Sequence, residues 1–375
     1  MSFVSQLLKR KKLLKMNIVR PALPESCRII CVSDIHAYLD DFKSLLKKCS
    51  YDPNADYLFI LGDIIEKGPD NVSTLNYVQN LCRNPKAIFI QGNNDTMPCH
   101  MAYKDDRSRF LDRLKHRPTN TFVQMAEASG ITDFTENFEE KRQKVIETYK
   151  TQLDFLQSAP LAIETKDFIF VHAAIENRPD WENSAPHVIQ VLHWFLRHEH
   201  CQPKTVICGH YPTYNFRRGS STNLPIFDDN KRIIDIDGGM GTKSAMQLNA
   251  LIININNGGY DFETVFKPHG REVTVKTDYT TDKTPKYVDW ENHHISVIED
   301  QGEFLLVKNE TTGETGVIPE SFTGTWDRLH AWIHLDSFTS VKAGEKFTIS
   351  RETENHFFGM TQSGKVGFIP KSAVK

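Results

Sequence analysis

The sequence predicts an α/β fold, two packed sheets flanked by helices, followed by two small all-β barrels. Three observations predict it. Between Arg28 and Asp95, three short apolar runs each stop at a polar cluster: RIICVS before Asp34-Ile35-His36, YLFIL before Gly62-Asp63, and AIFIQ before Gly92-Asn93-Asn94-Asp95. Runs of this length, rich in Ile, Val and Phe and closed by Gly or Asp, read as buried strands. Between them, residues 40 to 50 and 71 to 82 have helical spacing with Asp or Asn near their starts, which makes a βαβαβ unit. Past Gly258-Gly259 the chain turns to Thr, Lys, Glu and Val, and ETGVIPESF at 314 to 322 recurs as KVGFIPKSA at 365 to 373. A β unit repeated at this spacing predicts two barrels in tandem.

Taken in order, residues 1 to 26 form a leader in which apolar residues are interrupted by a KRKK cluster. It has no continuous apolar core for a secretory signal and reads as a solvated tail, with a basic amphipathic helix at a membrane surface as the alternative. Residues 27 to 262 make the main domain. Within it, residues 99 to 157 are polar and helical in pattern, an insertion that either covers the sheet or shapes entry to a site at its rim. LAIET, DFIFVHA, TVICGH, RIIDIDGG and LNALIININ then return to strands, and the last two are expected to complete the second sheet. Asp235 and Asp237 fit a turn beside Gly238-Gly239 better than a ligand role. The barrels are assigned to residues 272 to 324 and 325 to 375.

A formal net charge of −3 over 375 residues gives no electrostatic reason to propose a nucleic-acid partner. Seven scattered cysteines without a C-x-x-C pair describe a reducing, cytoplasmic compartment. No apolar run approaches the roughly 18 to 20 residues of a membrane span.

Two further strand ends carry His172 and His210. Five strand ends thus offer Asp34, His36, Asp63, Asn93, His172 and His210, a mixed oxygen and nitrogen set at the rim where α/β sheets bind ligands. Such a set suits manganese first, with iron or zinc as alternatives, rather than calcium or a thiolate site. Asp63 lies on the central strand of the three and is the natural bridge between two divalent metal ions. A pair of ions sharing one carboxylate would activate water and bind a phosphoryl oxygen.

The ordered set D-x-H, G-D-x-x-x-x-G, G-N-x-D, a strand-end His and G-H-x-P-T resembles the calcineurin-like metallophosphoesterases. Within them it is most similar to the phosphoprotein phosphatase branch, with the diadenosine tetraphosphatase-like bacterial members also close. The resemblance covers about residues 28 to 256. It implies a two-sheet sandwich in which Asp34, His36 and Asp63 hold one metal and Asp63, Asn93, His172 and His210 the other. It also implies hydrolysis of phosphoproteins by attack of hydroxide on phosphorus. A nucleotide hydrolase or phosphodiesterase is the alternative reading, and a scaffold with a degenerate site is a third.

The departures from that pattern bear on the chemistry. Ala37 stands where the family has Gly, Glu66 and Lys67 replace an Asp-Arg pair, and Asn94 replaces the histidine that would protonate the leaving oxygen. An amide is a negligible general acid, and loss of such a donor typically costs about 10²- to 10⁴-fold. The penalty shrinks for a phenolate, whose pKa is about 10, so a preference for phosphotyrosine is expected. Lys67 supplies charge without a bidentate grip on phosphate. The stretch VLHWFLRHE resembles the family's L-W-x-R segment, making Arg197 the candidate phosphate arginine and Arg178 the alternative. His187, His193, His198 and His200 read as surface or helix-face residues.

EFLLVKNETTGETGVIPESF is similar to the second half of a Src-homology-3 domain, so the barrels are expected to be SH3-like, with VKTDY (275 to 279) as the opening strand of the first. By that likeness Phe304, Pro319 and Phe322 would line a groove for a proline-rich peptide. A phosphatase joined to such modules would suit a bacterial effector delivered into a host cytosol.

Overall fold

The computed structural model describes residues 16–193 and 195–374. Two sheets face each other. The first has five strands in the order Gly259–Pro268, Gln247–Asn256, Ser26–Val32, Tyr57–Ile60 and Ala87–Phe89. The second has six: Ile18–Val19, Ala162–Glu164, Phe168–Val171, Thr205–Cys208, Ile233–Asp235 and Ile226–Asp228. Strand alternation assigns each face. Ile29, Cys31, Phe59 and Leu61 turn inward to meet Ile163, Phe168, Phe170 and Ile207 between the sheets. Ile30, Val32, Leu58 and Ile60 turn outward, under helices that include Leu39–Lys48 and Asn71–Leu81. Burial on both faces is why these strands read as continuous apolar runs.

Two expectations are corrected here. LNALIININ joins the first sheet rather than the second, pairing antiparallel with Ser26–Val32 so that Leu251 lies opposite Cys31. The leader's basic cluster lies outside the described residues, and from Met16 onward the segment is not a free tail: Ile18 pairs with Ala162 and Val19 with Ile163 at the edge of the second sheet.

The insertion consists of helices Met97–Tyr103, Arg107–His116, Thr121–Ala128, Phe138–Thr148 and Lys150–Ser158. Phe110, Phe122, Phe134 and Phe138 pack edge to face to make its core. It joins the core over the first sheet through Met97, Met101 and Leu156.

The carboxyl-terminal region is all β. One sheet contains Ile295–Asp300, Leu305–Asn309 and Thr315–Ile318, and another Arg271–Thr274, Lys346–Glu352, His356–Thr361 and Val366–Pro370. The stretch expected to open the first unit serves the second instead. Arg271–Thr274 pairs with residues 346 to 349, Val275 N–H donates to Glu345, and Tyr279 exchanges hydrogen bonds with Val341. Both units share a core with the main domain, in which Tyr214 and Ala245 pack with Val307, Phe322, Phe358 and Phe368.

Candidate metal centre

Each ligand-bearing loop leaves a buried strand in a conformation that side chains seldom adopt. Asp34, His36, Ala37, Asp63, Glu66, Lys67 and His210 all have positive φ between 48° and 71°. Left-handed backbone of this kind costs about 1–2 kcal/mol per residue and persists where the surroundings enforce it. The enforcing bonds are visible: Asp34 N–H donates to Gly62 O at 3.1 Å, His36 N–H to Asp63 O at 2.9 Å, and Ala37 N–H to Ile64 O at 2.9 Å. Ala37, with φ of 60°, holds a conformation for which glycine is better suited. The loops also approach so closely that a Cβ on Gly92 would collide with the Asp63 carboxylate, and one on Gly209 with Ser33 Oγ and Asp34 Oδ2.

The strand ends converge on Asp63. Asp34, His36 and Asp63 offer ligand atoms within 4.8 Å of one another, and so do Asp63, His172 and His210. His36 Nε2 is 3.7 Å from Asp34 Oδ1 and 3.6 Å from Asp63 Oδ2, and His172 Nε2 is 3.5 Å from Asp63 Oδ1. The far ring nitrogens are tied to backbone: His36 Nδ1 is 3.2 Å from Ile65 O and His172 Nδ1 2.8 Å from Leu61 O. Carbonyls there fix the tautomer and aim each Nε2 lone pair inward. With its amide nitrogen turned inward, Asn93 donates to His210 Nδ1 at 3.0 Å and His172 Nε2 at 3.1 Å, so both face one point.

Burial works against the Asp63 charge, yet His172, His36 and Lys67 hold its carboxyl below the usual range. Burial, with Lys67 adding to it, pushes His36 down to about 3, so this imidazole is neutral and free to bind a cation. Asp95 faces away from the centre. Its Oδ2 accepts from Asp63 N–H at 2.7 Å and Gly92 N–H at 2.8 Å, and its Oδ1 from Ile64 N–H at 2.9 Å. Burial, then the neighbouring Asp63 charge, raise it to about 7.

A divalent cation fits this donor set, with Asp63 shared between the two groups. One feature of the first group opposes it: the Lys67 Nζ stands 2.9 Å from His36 Nε2, the nitrogen aimed at that cation's position. Lysine and metal cannot both hold that lone pair, so the second group is the better formed of the two.

The other predicted site residues divide. Asn94 is at the centre, donating from Nδ2 to Asp63 Oδ2 at 2.5 Å. Glu66 is not paired with it. Its Oε1 instead accepts from Thr121 N–H at 3.0 Å and Thr121 Oγ1 at 2.6 Å, at the start of the 121–128 helix. Arg197 is drawn to the carboxyl-terminal region by Asp289 at 3.0 Å and Glu291 at 2.9 Å, while Arg178 pairs with Asp180 and Glu176. Trp194, which set the spacing for Arg197, lies outside the described residues. The guanidinium that reaches the centre belongs to Arg117, whose NH1 donates to Asn94 Oδ1 at 3.0 Å.

His193 is also at the site. Its ring is nearly parallel to that of His210, with centroids 4.8 Å apart, and its Nδ1 is 3.0 Å from His210 Nε2. His187 and His198 are exposed, and His200 is buried against Arg232 O. Asp235 and Asp237 are buried, and Asp237 Oδ1 accepts from Gly239 N–H at 2.7 Å, the turn role expected of it. The groove expected in the first β unit is closed. Pro319 and Phe322 are buried, and Phe304 packs on Phe338 and Phe368.

Residues 27–236 match the calcineurin-like phosphoesterase family. Similar relatives include a symmetrical bis(5'-nucleosyl)-tetraphosphatase of Aeromonas salmonicida, 34% identical over 103 residues that are 23% of this chain and 37% of that one. The corresponding protein of Buchnera aphidicola is 31% identical over 90 residues, 23% of this chain and 32% of its own. The alignments thus span about a third of those relatives' length. A protein serine/threonine phosphatase structure from Saccharomyces cerevisiae superposes with a TM-score of 0.41 at 12% identity, over 72% of this chain and 86% of that one. Among the described residues no helix is long and apolar enough to cross a membrane.

Proposed function

Since the chain belongs to the calcineurin-like phosphoesterases, we propose that it hydrolyses phosphate linkages whose leaving group departs as a stable anion, foremost the anhydride of a dinucleoside polyphosphate. The observation that carries this is Asn94, held between Asp63 and Arg117 where a proton donor would stand. Neither an amide nor a guanidinium gives up a proton near neutral pH.

When bound, a divalent cation at Asp63, His172 and His210, joined by a second at Asp34 and His36 where Lys67 gives way, would supply a nucleophile from water and neutralise charge on the phosphoryl oxygens. The chain's own residues do the rest. Asp63, buried and held charged, is the shared ligand, and Asp95 fixes the loop that carries it. Arg117 offers guanidinium N–H groups to the phosphoryl oxygens. Water adds to phosphorus and gives up a proton to solvent, the bond to the bridging oxygen breaks, and that oxygen leaves as a phosphate anion. The second pKa of a phosphate ester is about 6, so this anion needs no acid.

A second reading keeps the phosphoprotein substrate, in the form of phosphotyrosine. The same observation favours it, because a phenolate leaves far more easily than an alkoxide. Initial rates on diadenosine tetraphosphate, a phosphotyrosine peptide and a phosphoserine peptide, each with manganese, test both readings. The anhydride is expected to be fastest and phosphoserine slowest. A phosphoserine rate equal to the others would sink the leaving-group argument.

A further inference from the structure

Three of the chain's five tryptophans stand around one cleft that the chemistry above does not use: Trp290, Trp326 and Trp332. His293, His330, Lys243 and Asp289 are also in its walls, around a cavity of about 130 Å³. With its open mouth included the cleft encloses about 530 Å³, within the range of small-molecule pockets. Trp326 is 72% exposed, which is unusual for the largest apolar side chain. It lies edge to face on Trp332 at 5.3 Å and tilted over His330 at 4.5 Å. His330 is 1% exposed, and its buried Nε2 has no hydrogen-bond partner.

The cleft lies next to the metal centre on two sides. On one side Trp290 meets Tyr211 at 4.8 Å and His193 at 6.3 Å, and His193 lies against His210. On the other, the backbone at Gly241 passes so close to the first ligand group that a Cβ there would lie 3.1 Å from Lys67 Cβ and 3.4 Å from His36 Cβ. The next two residues, Thr242 and Lys243, line the cleft. The tryptophans therefore stand next to any ligand held at the metal-binding groups.

We propose that this cleft holds the base of a nucleotide whose phosphates lie at the Asp63 centre. The inference rests on the phosphohydrolase reading and narrows its substrate. Aromatic walls suit any base, because every base offers a π-face for stacking. The imidazoles of His293 and His330 complement ring nitrogens and exocyclic groups. Distance separates a base from the ring of phosphotyrosine. A phenyl ring bonded to the reacting phosphate stays beside the metal ligands, whereas ribose and further phosphates carry a base out to Trp290, two ring contacts beyond His210.

Adenosine tests this, because it carries no phosphate and needs no metal to bind. Titration of the full chain with adenosine in the presence of a chelator, followed by tryptophan fluorescence and by calorimetry, is expected to show one site. Trp326→Ala should raise its Kd at least tenfold and Trp326→Phe should recover much of the loss, with the melting temperature of both variants matching the parent. No adenosine binding, equal binding by Trp326→Ala, or displacement of adenosine by a proline-rich peptide would overturn the proposal. If adenosine binds and Trp326→Ala loses it while diadenosine tetraphosphate is not hydrolysed, the cleft assignment stands and the reading of the metal centre falls.

Discussion

Lys67 Nζ lies 2.9 Å from His36 Nε2, so a side-chain ammonium occupies the nitrogen that a metal at Asp34, His36 and Asp63 would need. Lys67 is otherwise exposed, and its removal leaves no buried hole. Lys67→Met is expected to raise metal content from about one toward two ions per chain after equilibration with manganese and desalting. Elemental analysis of parent and variant decides it, and a lower content in the variant would show that Lys67 supports the site instead.

Asn94→His would restore a titratable donor beside Asp63. The expected gain is confined to substrates that need one: hydrolysis of an alkyl phosphate should rise at least tenfold relative to an aryl phosphate. The ratio of kcat/KM for β-naphthyl phosphate and glycerol phosphate, measured on both proteins, is the readout. An unchanged ratio would mean that the leaving group is protonated from elsewhere.

His193 is placed to orient His210 toward a metal bound at Asp63 and His172. Its Nδ1 engages His210 Nε2 and leaves Nδ1 of that ring facing Asn93. Loss of such an orienting partner typically weakens metal binding by about 10- to 100-fold. His193→Ala is therefore expected to shift the manganese concentration for half-maximal activity by that factor. Because His193 is exposed, the melting temperature of the metal-free protein should not move.

His334 makes the attachment of the carboxyl-terminal region pH-dependent. Its ring stacks on Tyr214 at 4.1 Å, and its Nδ1 accepts from Val288 N–H at 3.1 Å. Burial, then the nearby Lys243 charge, push it down to about 3 from an ordinary 6.5. The unfolded chain thus takes up a proton that the folded one refuses. Stability from this group is complete above pH 6.5 and is lost as pH falls toward 3. Between pH 7.5 and pH 5 the loss is about 2 kcal/mol. Urea unfolding at both values should show a smaller drop for His334→Gln than for the parent, and equal drops would refute the assignment.

The convergence of these side chains was legible because the local sequence carries it. Asp34, His36, Asp63, Asn93, His172 and His210 each follow a short apolar run, and a buried strand that ends in a polar group leaves little freedom in where that group lies. Arg117 and His193 were not legible, since each reaches the centre only through the docking of a neighbouring segment, and the apolar run before His193 is a helix rather than a strand. LNALIININ shows the same limit for topology. Its apolar pattern declares a buried strand, but only the packed sheets decide that its partner is Ser26–Val32. Arg271–Thr274 is largely exposed, so no apolar signal marked it as belonging with the more distant β unit.

Tyr214 follows His210 by four residues, yet its ring is sealed among side chains contributed by residues beyond 280. During synthesis, the main domain leaves the ribosome well before the groups that cover that ring. The turn carrying His210 should therefore settle last, and cations added to nascent chains should be retained only once the terminal strands have emerged.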